Sequence, residues 1–256
     1  MGKLTGKVAI ITGASGGLGK YISQRFAEEG ATLALCDINE ERLSETAKLC
    51  ESKGAKVLSS VCDVSKYSEV EAFVSSVATK FGTVDILVNL AIAIKPPHTF
   101  LEHEMETLQL SYETGLVSTW NMMKLCYPFL KTNGGKIINF GSGAGTEGIE
   151  GYAAYAAIKE AIRGLSRVVA REWGKDNINV NIVNPGAITD AVKSYLENIP
   201  EENRDFSALG FQETPIGRYG DPYEDIAPVV VFLACDDSRH ITGQTFNVDG
   251  GSIISA

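Results

Sequence analysis

Seven short runs rich in Val, Ile and Leu, each set off from the next by a longer stretch, constrain this chain more than any other feature. The runs are Lys7–Thr12, Thr32–Asp37, Lys56–Val61, Val84–Asn89, Lys136–Phe140, Ile178–Val183 and Thr245–Val248. They are nearly continuous in apolar residues rather than alternating, the pattern of parallel strands covered on both faces. Between them, Gly17–Glu29, Glu40–Ser52, Ser68–Phe81, Glu102–Leu130, Tyr152–Gly174 and Tyr223–Cys235 read as helices. Strand-helix alternation along the whole chain predicts an α/β fold: one doubly wound parallel sheet of seven strands in three layers, with right-handed crossovers. The 256 residues suit one domain spanning 1–256, with no repeat and no linker. Only the stretch from Thr189 to Gly217 breaks the rhythm, and a segment of that length reads as a lid or binding insert.

Bulk chemistry narrows the function classes. A formal net charge of −9 argues against a nucleic-acid binder, which needs a basic face. The five cysteines are scattered and odd in number, which reads as reduced thiols in a cytoplasmic protein. Three histidines form no cluster, so the expectation is no bound metal. No stretch reaches the ~20 apolar residues of a membrane span, and the start of the chain lacks the apolar run of a secretion signal.

The first strand feeds a glycine-rich turn that opens a helix: Thr12-Gly13-Ala14-Ser15-Gly16-Gly17-Leu18-Gly19. Glycines at 13, 17 and 19 let backbone approach a pyrophosphate, and a helix N-terminus offers unpaired N–H groups and a positive dipole end. Asp37 ends the second strand, where an acidic side chain accepts hydrogen bonds from adenosine ribose hydroxyls and repels a 2′-phosphate. Neither Gly16 nor Ile38 supplies a cation for that phosphate, so NAD(H) is expected over NADP(H). The competing reading makes Asp37 a cap for the helix starting near Glu40. Asp63 and Val64, after the third strand, are placed around the adenine.

At the other end, the fifth strand runs into Gly141-Ser142-Gly143, and Ser142 precedes Tyr155 by thirteen positions. Tyr155 and Lys159 are four apart and share a helix face. An ammonium beside a phenol in a partly dry cleft is expected to lower the phenol's pKa from about 10, giving an acid/base near neutral pH. Asn184-Pro185-Gly186 after the sixth strand forms a rigid turn able to carry backbone against a flat ring.

Together with the Val248-Asp249-Gly250-Gly251 ending, these motifs resemble the short-chain dehydrogenase/reductase superfamily, in its single-domain Rossmann-type form, over essentially the whole chain. The resemblance implies that Tyr155 exchanges a proton with the substrate oxygen, Lys159 holds the nicotinamide ribose and lowers the Tyr155 pKa, and Ser142 polarises the substrate carbonyl. It implies a cofactor site built from Gly13, Ser15, Gly16, Gly17, Leu18, Gly19, Asp37, Asp63, Val64, Asn89, Ala91, Tyr155, Lys159, Pro185, Gly186 and Ile188. Substrate is expected against Ser142, Tyr155, Ile94 and Tyr195. The long helices Glu102–Leu130 and Tyr152–Gly174 imply pairing into a homodimer or homotetramer.

Two positions depart from the family pattern. Where the family has Asn-Asn-Ala-Gly, this chain has Asn89-Leu90-Ala91-Ile92, which puts a branched side chain beside the cofactor. Where the family has a helix asparagine three residues before a glycine, this chain has Tyr112 before Gly115. That asparagine's backbone carbonyl holds a relay water, so Tyr112 keeps the geometry if the helix keeps its local distortion. The expected function is an NAD(H)-dependent oxidoreductase interconverting a secondary alcohol and a ketone on a small, moderately apolar molecule. The alternatives are a 3-ketoacyl-type reductase, and a nucleotide-binding scaffold whose catalysis has decayed.

Overall fold

In the computed structural model, the structure describes residues 2–189 and 214–254. All seven expected strands form: β1 Val8–Thr12, β2 Thr32–Asp37, β3 Val57–Val61, β4 Ile86–Asn89, β5 Gly135–Phe140, β6 Ile178–Pro185 and β7 Thr245–Val248. They build one sheet in the order β3-β2-β1-β4-β5-β6-β7, every neighbouring pair parallel. The reason the runs are continuous is now visible. Ala9 and Ile11 of β1 enter a core on one face of the sheet with Ile22, Phe26 and Val230. Val8 and Ile10 enter the core on the other face with Phe73, Val74 and Met122. Successive residues of a strand point to opposite faces, so a strand covered twice has no polar register to keep.

The helices are α1 Gly17–Glu28, α2 Glu40–Ser52, α3 Tyr67–Phe81, α4 Met105–Ser111, α5 Ser118–Asn133, α6 Gly143–Glu147, α7 Ala153–Trp173 and α8 Ala227–Ala234. The helix expected from Glu102 to Leu130 is divided: between α4 and α5, residues Tyr112–Val117 wind as a π-helix. Hydroxyls that compete with the helical ladder explain the wide turn. Thr114 Oγ1 donates to the Leu110 carbonyl at 2.6 Å and accepts from Ala93 N at 2.9 Å. Ser111 Oγ donates to the Ala93 carbonyl at 3.0 Å, so the π turn is stitched to the loop that follows β4. Tyr112 begins the turn, and the local distortion on which its expected role depended is present. The other departure is also accommodated. A Cβ on Gly115 would lie 2.8 Å from Ile92 Cδ1, so the bare glycine is what makes room for the branched side chain.

One polar seam crosses the apolar interior. Asn89 Nδ2 on β4 donates to Asn139 Oδ1 on β5 at 2.8 Å, and Asn139 Nδ2 donates to Ser166 Oγ on α7 at 2.8 Å. Asn139 and Ser166 are fully buried. Ser166 belongs to the buried stripe of α7 that also carries Ile158, Lys159, Ile162 and Val169, so this seam sets the height of α7 against the sheet. Removing the middle member leaves Asn89 Nδ2 without its partner and takes a donor from Ser166 Oγ, which keeps its bond to the Ile162 carbonyl; an unsatisfied buried polar group costs about 1–3 kcal/mol. Asn139→Ala is therefore expected to lose roughly 2–4 kcal/mol, read as a lower urea midpoint; an unchanged midpoint would show that the seam contributes nothing.

Candidate active site

The strand order reverses between β1 and β4, and the carboxyl ends of these strands diverge there into a crevice. Thr12 Oγ1, buried at the end of β1, bridges the gap by accepting from Leu90 N at 3.0 Å and Ala91 N at 3.1 Å. The glycine turn folds over this floor. Gly13 adopts φ +67°, and a side chain there would meet the Ala91 backbone at 3.1 Å. A Cβ on Gly19 would lie 2.1 Å from the Gly13 carbonyl oxygen, so only glycine closes the turn onto α1. Of the expected cofactor residues, Gly13, Ser15, Gly16, Gly17, Leu18, Gly19, Asp37, Ala91, Tyr155, Lys159 and Pro185 line one cleft of about 360 Å³. A larger cavity of about 1060 Å³ opens around Lys136, Asn179 and Arg239, but no expected site residue lines it. The smaller cleft is where the chemistry gathers.

Other expected residues do not line this cleft. The Asp63 carboxylate accepts from Ser65 N and Ser65 Oγ and pairs with Lys66, which holds it below the usual carboxylate range. Val64 is buried in the core and Asn89 is held by Asn139. Gly186 presses on Asp249, whose Cα a Cβ would meet at 2.6 Å, and Ile188 N donates to the Gly220 carbonyl. Ile94 is half exposed on the loop after β4. Tyr195, with almost all of the insert expected from Thr189 to Gly217, lies outside the described residues.

Asp37 lines the cleft and is not the cap of α2. One carboxylate oxygen accepts from Ser15 N at 3.0 Å, in the glycine turn; the other accepts from Asn39 N at 3.0 Å. The cap of α2 is Asn39, whose Oδ1 accepts from Arg42 N, so Asp37 supports the cap rather than being it. Sequence reading missed Arg42. It lies in the first turn of α2, five residues past Asp37, yet it lines the cleft beside Gly16. Nothing in the local pattern signals this, because the approach of α2 to the turn is a tertiary contact.

Ser142, just past the Phe140 and Gly141 of the cleft lining, caps α6, a short helix the sequence did not signal, and its Oγ accepts from Ala144 N at 3.1 Å. Lys159 reaches down from α7 and donates from Nζ to the Phe140 carbonyl, at the end of β5, at 2.9 Å. Its ammonium also lies 5.5 Å from the centre of the Tyr155 ring. Burial lowers the Lys159 pKa to about 8. The expectation that Lys159 lowers the Tyr155 pKa is reversed. Burial is the largest influence on that phenol and raises it above 10; a hydrogen bond with Ser142 pulls it partly back, and the Tyr152 phenol adds to the rise. The ammonium is spent on the Phe140 carbonyl, and a desolvated phenol keeps its proton.

The depressed lysine makes stability depend on pH. Between about 8 and the ordinary 10.5, the unfolded chain holds a proton on Lys159 that the folded chain has released. Stability rises with pH wherever the unfolded state binds more protons. The native chain is therefore expected to gain stability relative to Lys159→Met as pH climbs through this window, measured by urea denaturation of both proteins. Parallel curves would mean that Lys159 is not desolvated.

Comparisons with known proteins agree with this geometry. Residues 13–252 match the family model described as enoyl-(acyl carrier protein) reductase. A 12α-hydroxysteroid dehydrogenase from Clostridium sp. is 40% identical, covering 98% of this chain and 98% of its own. A 3-oxoacyl-[acyl-carrier-protein] reductase from Thermotoga maritima is 35% identical over 98% of this chain and 100% of its own. Among solved structures, a 7α-hydroxysteroid dehydrogenase complexed with NADH and 7-oxo glycochenodeoxycholic acid superposes with a TM-score of 0.89 at 34% identity, covering 98% and 96% of the two chains. An NAD+-bound xylitol dehydrogenase does so with a TM-score of 0.89 at 31% identity, covering 97% and 100%. With the family model spanning almost its whole length and relatives aligned end to end, the chain belongs to the short-chain dehydrogenase/reductase superfamily.

Proposed function

We propose that the protein is an NAD(H)-dependent oxidoreductase that interconverts a secondary alcohol and a ketone on a small, moderately apolar molecule. One observation carries the reading: Tyr155 and Lys159 share a cleft with the glycine turn, and the Lys159 ammonium lies 5.5 Å from the centre of the Tyr155 ring. The fit of a dinucleotide rests on the cradle itself, where Gly13 and Gly19 leave no room for side chains and Asp37 aligns the turn through Ser15 N. A nicotinamide dinucleotide held by the glycine turn, Tyr155 and Lys159 would supply the hydride donor or acceptor. Ser142 and Tyr155 hold the substrate oxygen, and Tyr155 exchanges the proton with it. Lys159, anchored by the Phe140 carbonyl, directs positive charge to the same place.

The raised Tyr155 pKa gives this chemistry a direction. At neutral pH the phenol is protonated and is an acid, which suits ketone reduction. Alcohol oxidation needs the phenolate and is expected to accelerate with rising pH. An apolar substrate is supported by Ile94, Phe100 and Leu101, all exposed on the segment that follows β4. The hydroxysteroid dehydrogenases among the relatives point the same way. A 3-ketoacyl-type reductase is the second reading, favoured by the full-length similarity to the Thermotoga maritima enzyme. Exposed Met105, Tyr112, Trp120 and Val168 on α4, the π turn, α5 and α7 support pairing into a homodimer or homotetramer. Among the described residues no helix is long and apolar enough to cross a membrane, and all five cysteines are free and buried, which supports a cytoplasmic setting.

Turnover with NAD(H) across cyclic and aryl secondary alcohols, steroids and ketoesters, followed by nicotinamide absorbance, tests the reading. Tyr155→Phe is expected to lose at least roughly a thousandfold in kcat while NAD affinity stays within about threefold. NAD binding without turnover on the whole panel would instead identify a decayed scaffold. A wild-type oxidation rate that falls as pH rises would contradict the acid/base assignment.

A further inference from the structure

Ser142 stands between two glycines, and each of them yields its side-chain space to a residue from the last part of the chain. A Cβ on Gly141 would collide with Oδ1 of Asn184, near the end of β6. A Cβ on Gly143 would lie 2.8 Å from Cδ1 of Ile253, in the tail that follows β7. The backbone of Ile253 is held on both sides. Its N–H donates to Asp249 Oδ2 at 3.0 Å, and its carbonyl accepts from Asn247 Nδ2 at 3.3 Å. Asn247 Oδ1 in turn accepts from Asn184 Nδ2 at 3.0 Å. One path of contacts therefore runs from Gly141 through Asn184, Asn247 and Ile253 to Gly143 and closes around Ser142. The tail turn is itself folded on a buried carboxylate, because the other oxygen of Asp249 accepts from Gly251 N at 2.9 Å.

Resting on the oxidoreductase reading above, we infer that Ile253 is a positioning residue for the reaction: seated on Gly143, it fixes the place of the Ser142 hydroxyl. That hydroxyl is tied to α6, since Ser142 Oγ accepts from Ala144 N at 3.1 Å. The helix α6 has only five residues, Gly143–Glu147, and a helix so short does not hold its own position. What bears on its first residue therefore decides where the hydroxyl sits. Ile253 is half-buried, so its side chain adds little to the core, and its contact with Gly143 is made one residue from a group that holds substrate. Misplacing a reacting group by about 1 Å costs on the order of a hundredfold in rate.

A double-mutant cycle between Ile253 and Ser142 in the full chain, read by turnover and by amide hydrogen exchange, tests this. Ile253→Ala is expected to lower kcat roughly tenfold while KM for NAD stays within about threefold. Amide exchange across residues 141–147 is expected to quicken in the same variant. Ile253→Leu, which keeps the volume, is expected to restore both. In a Ser142→Ala background the same truncation should change kcat less than about twofold, because residues that act through one group are not additive. Unchanged exchange in Ile253→Ala, or an equal kcat loss with and without the Ser142 hydroxyl, overturns the inference and leaves the oxidoreductase reading intact. Native turnover in Ser142→Ala removes Ser142 from that reading, and the inference falls with it.

Discussion

A single buried ammonium organises the reactive end of this protein. Lys159 is 4% exposed, and it donates to the Phe140 carbonyl, where β5 ends. Burying that charge is unfavourable, and the lowered pKa expresses it. The contact persists because α7 is held elsewhere, by an apolar stripe and by the Asn89–Asn139–Ser166 seam two turns further along. Stability supplied by the core is thus spent on positioning a charge beside a phenol. Strained or desolvated groups collected in one cleft are a common mark of reactive sites.

The two ends of the cleft use opposite electrostatics. At the glycine-turn end, one carboxylate aligns two pieces of backbone, and a guanidinium lies beside Gly16. At the reacting end, a phenol and an ammonium are both pushed toward their neutral forms by burial. Tyr155 as a neutral phenol is a proton donor at rest. The Tyr–Lys spacing alone suggested a phenolate, because pairwise attraction is easy to see in a sequence and desolvation is not.

Positions 92 and 112, which depart from the family pattern, illustrate how packing absorbs substitution. Ile92 fits because Gly115 leaves space opposite it. Tyr112 keeps the wide turn because Ser111, Thr114 and Ser118 supply the hydroxyls that open it. Each departure is compensated by residues elsewhere in the chain, and those compensations are invisible until the loop after β4 is seen against α4 and α7.

Much of the architecture was legible in the sequence. Continuous apolar runs mark strands covered on both faces, and the glycine spacing with Tyr155 and Lys159 in register marks the residues that line one cleft. These signals are local, set by side-chain periodicity and backbone freedom over a few residues. What remained hidden was the π turn within the long helix, the commitment of Asn89 to Asn139, the direction of the Tyr155 shift and the arrival of Arg42 over Gly16. Each of these depends on how far one element leans onto another and on how much water that contact removes. Those quantities exist only once the sheet and its helices are packed, so the chain's order of residues decided the fold and the reactive pair, and the tertiary structure decided their charge and their neighbours.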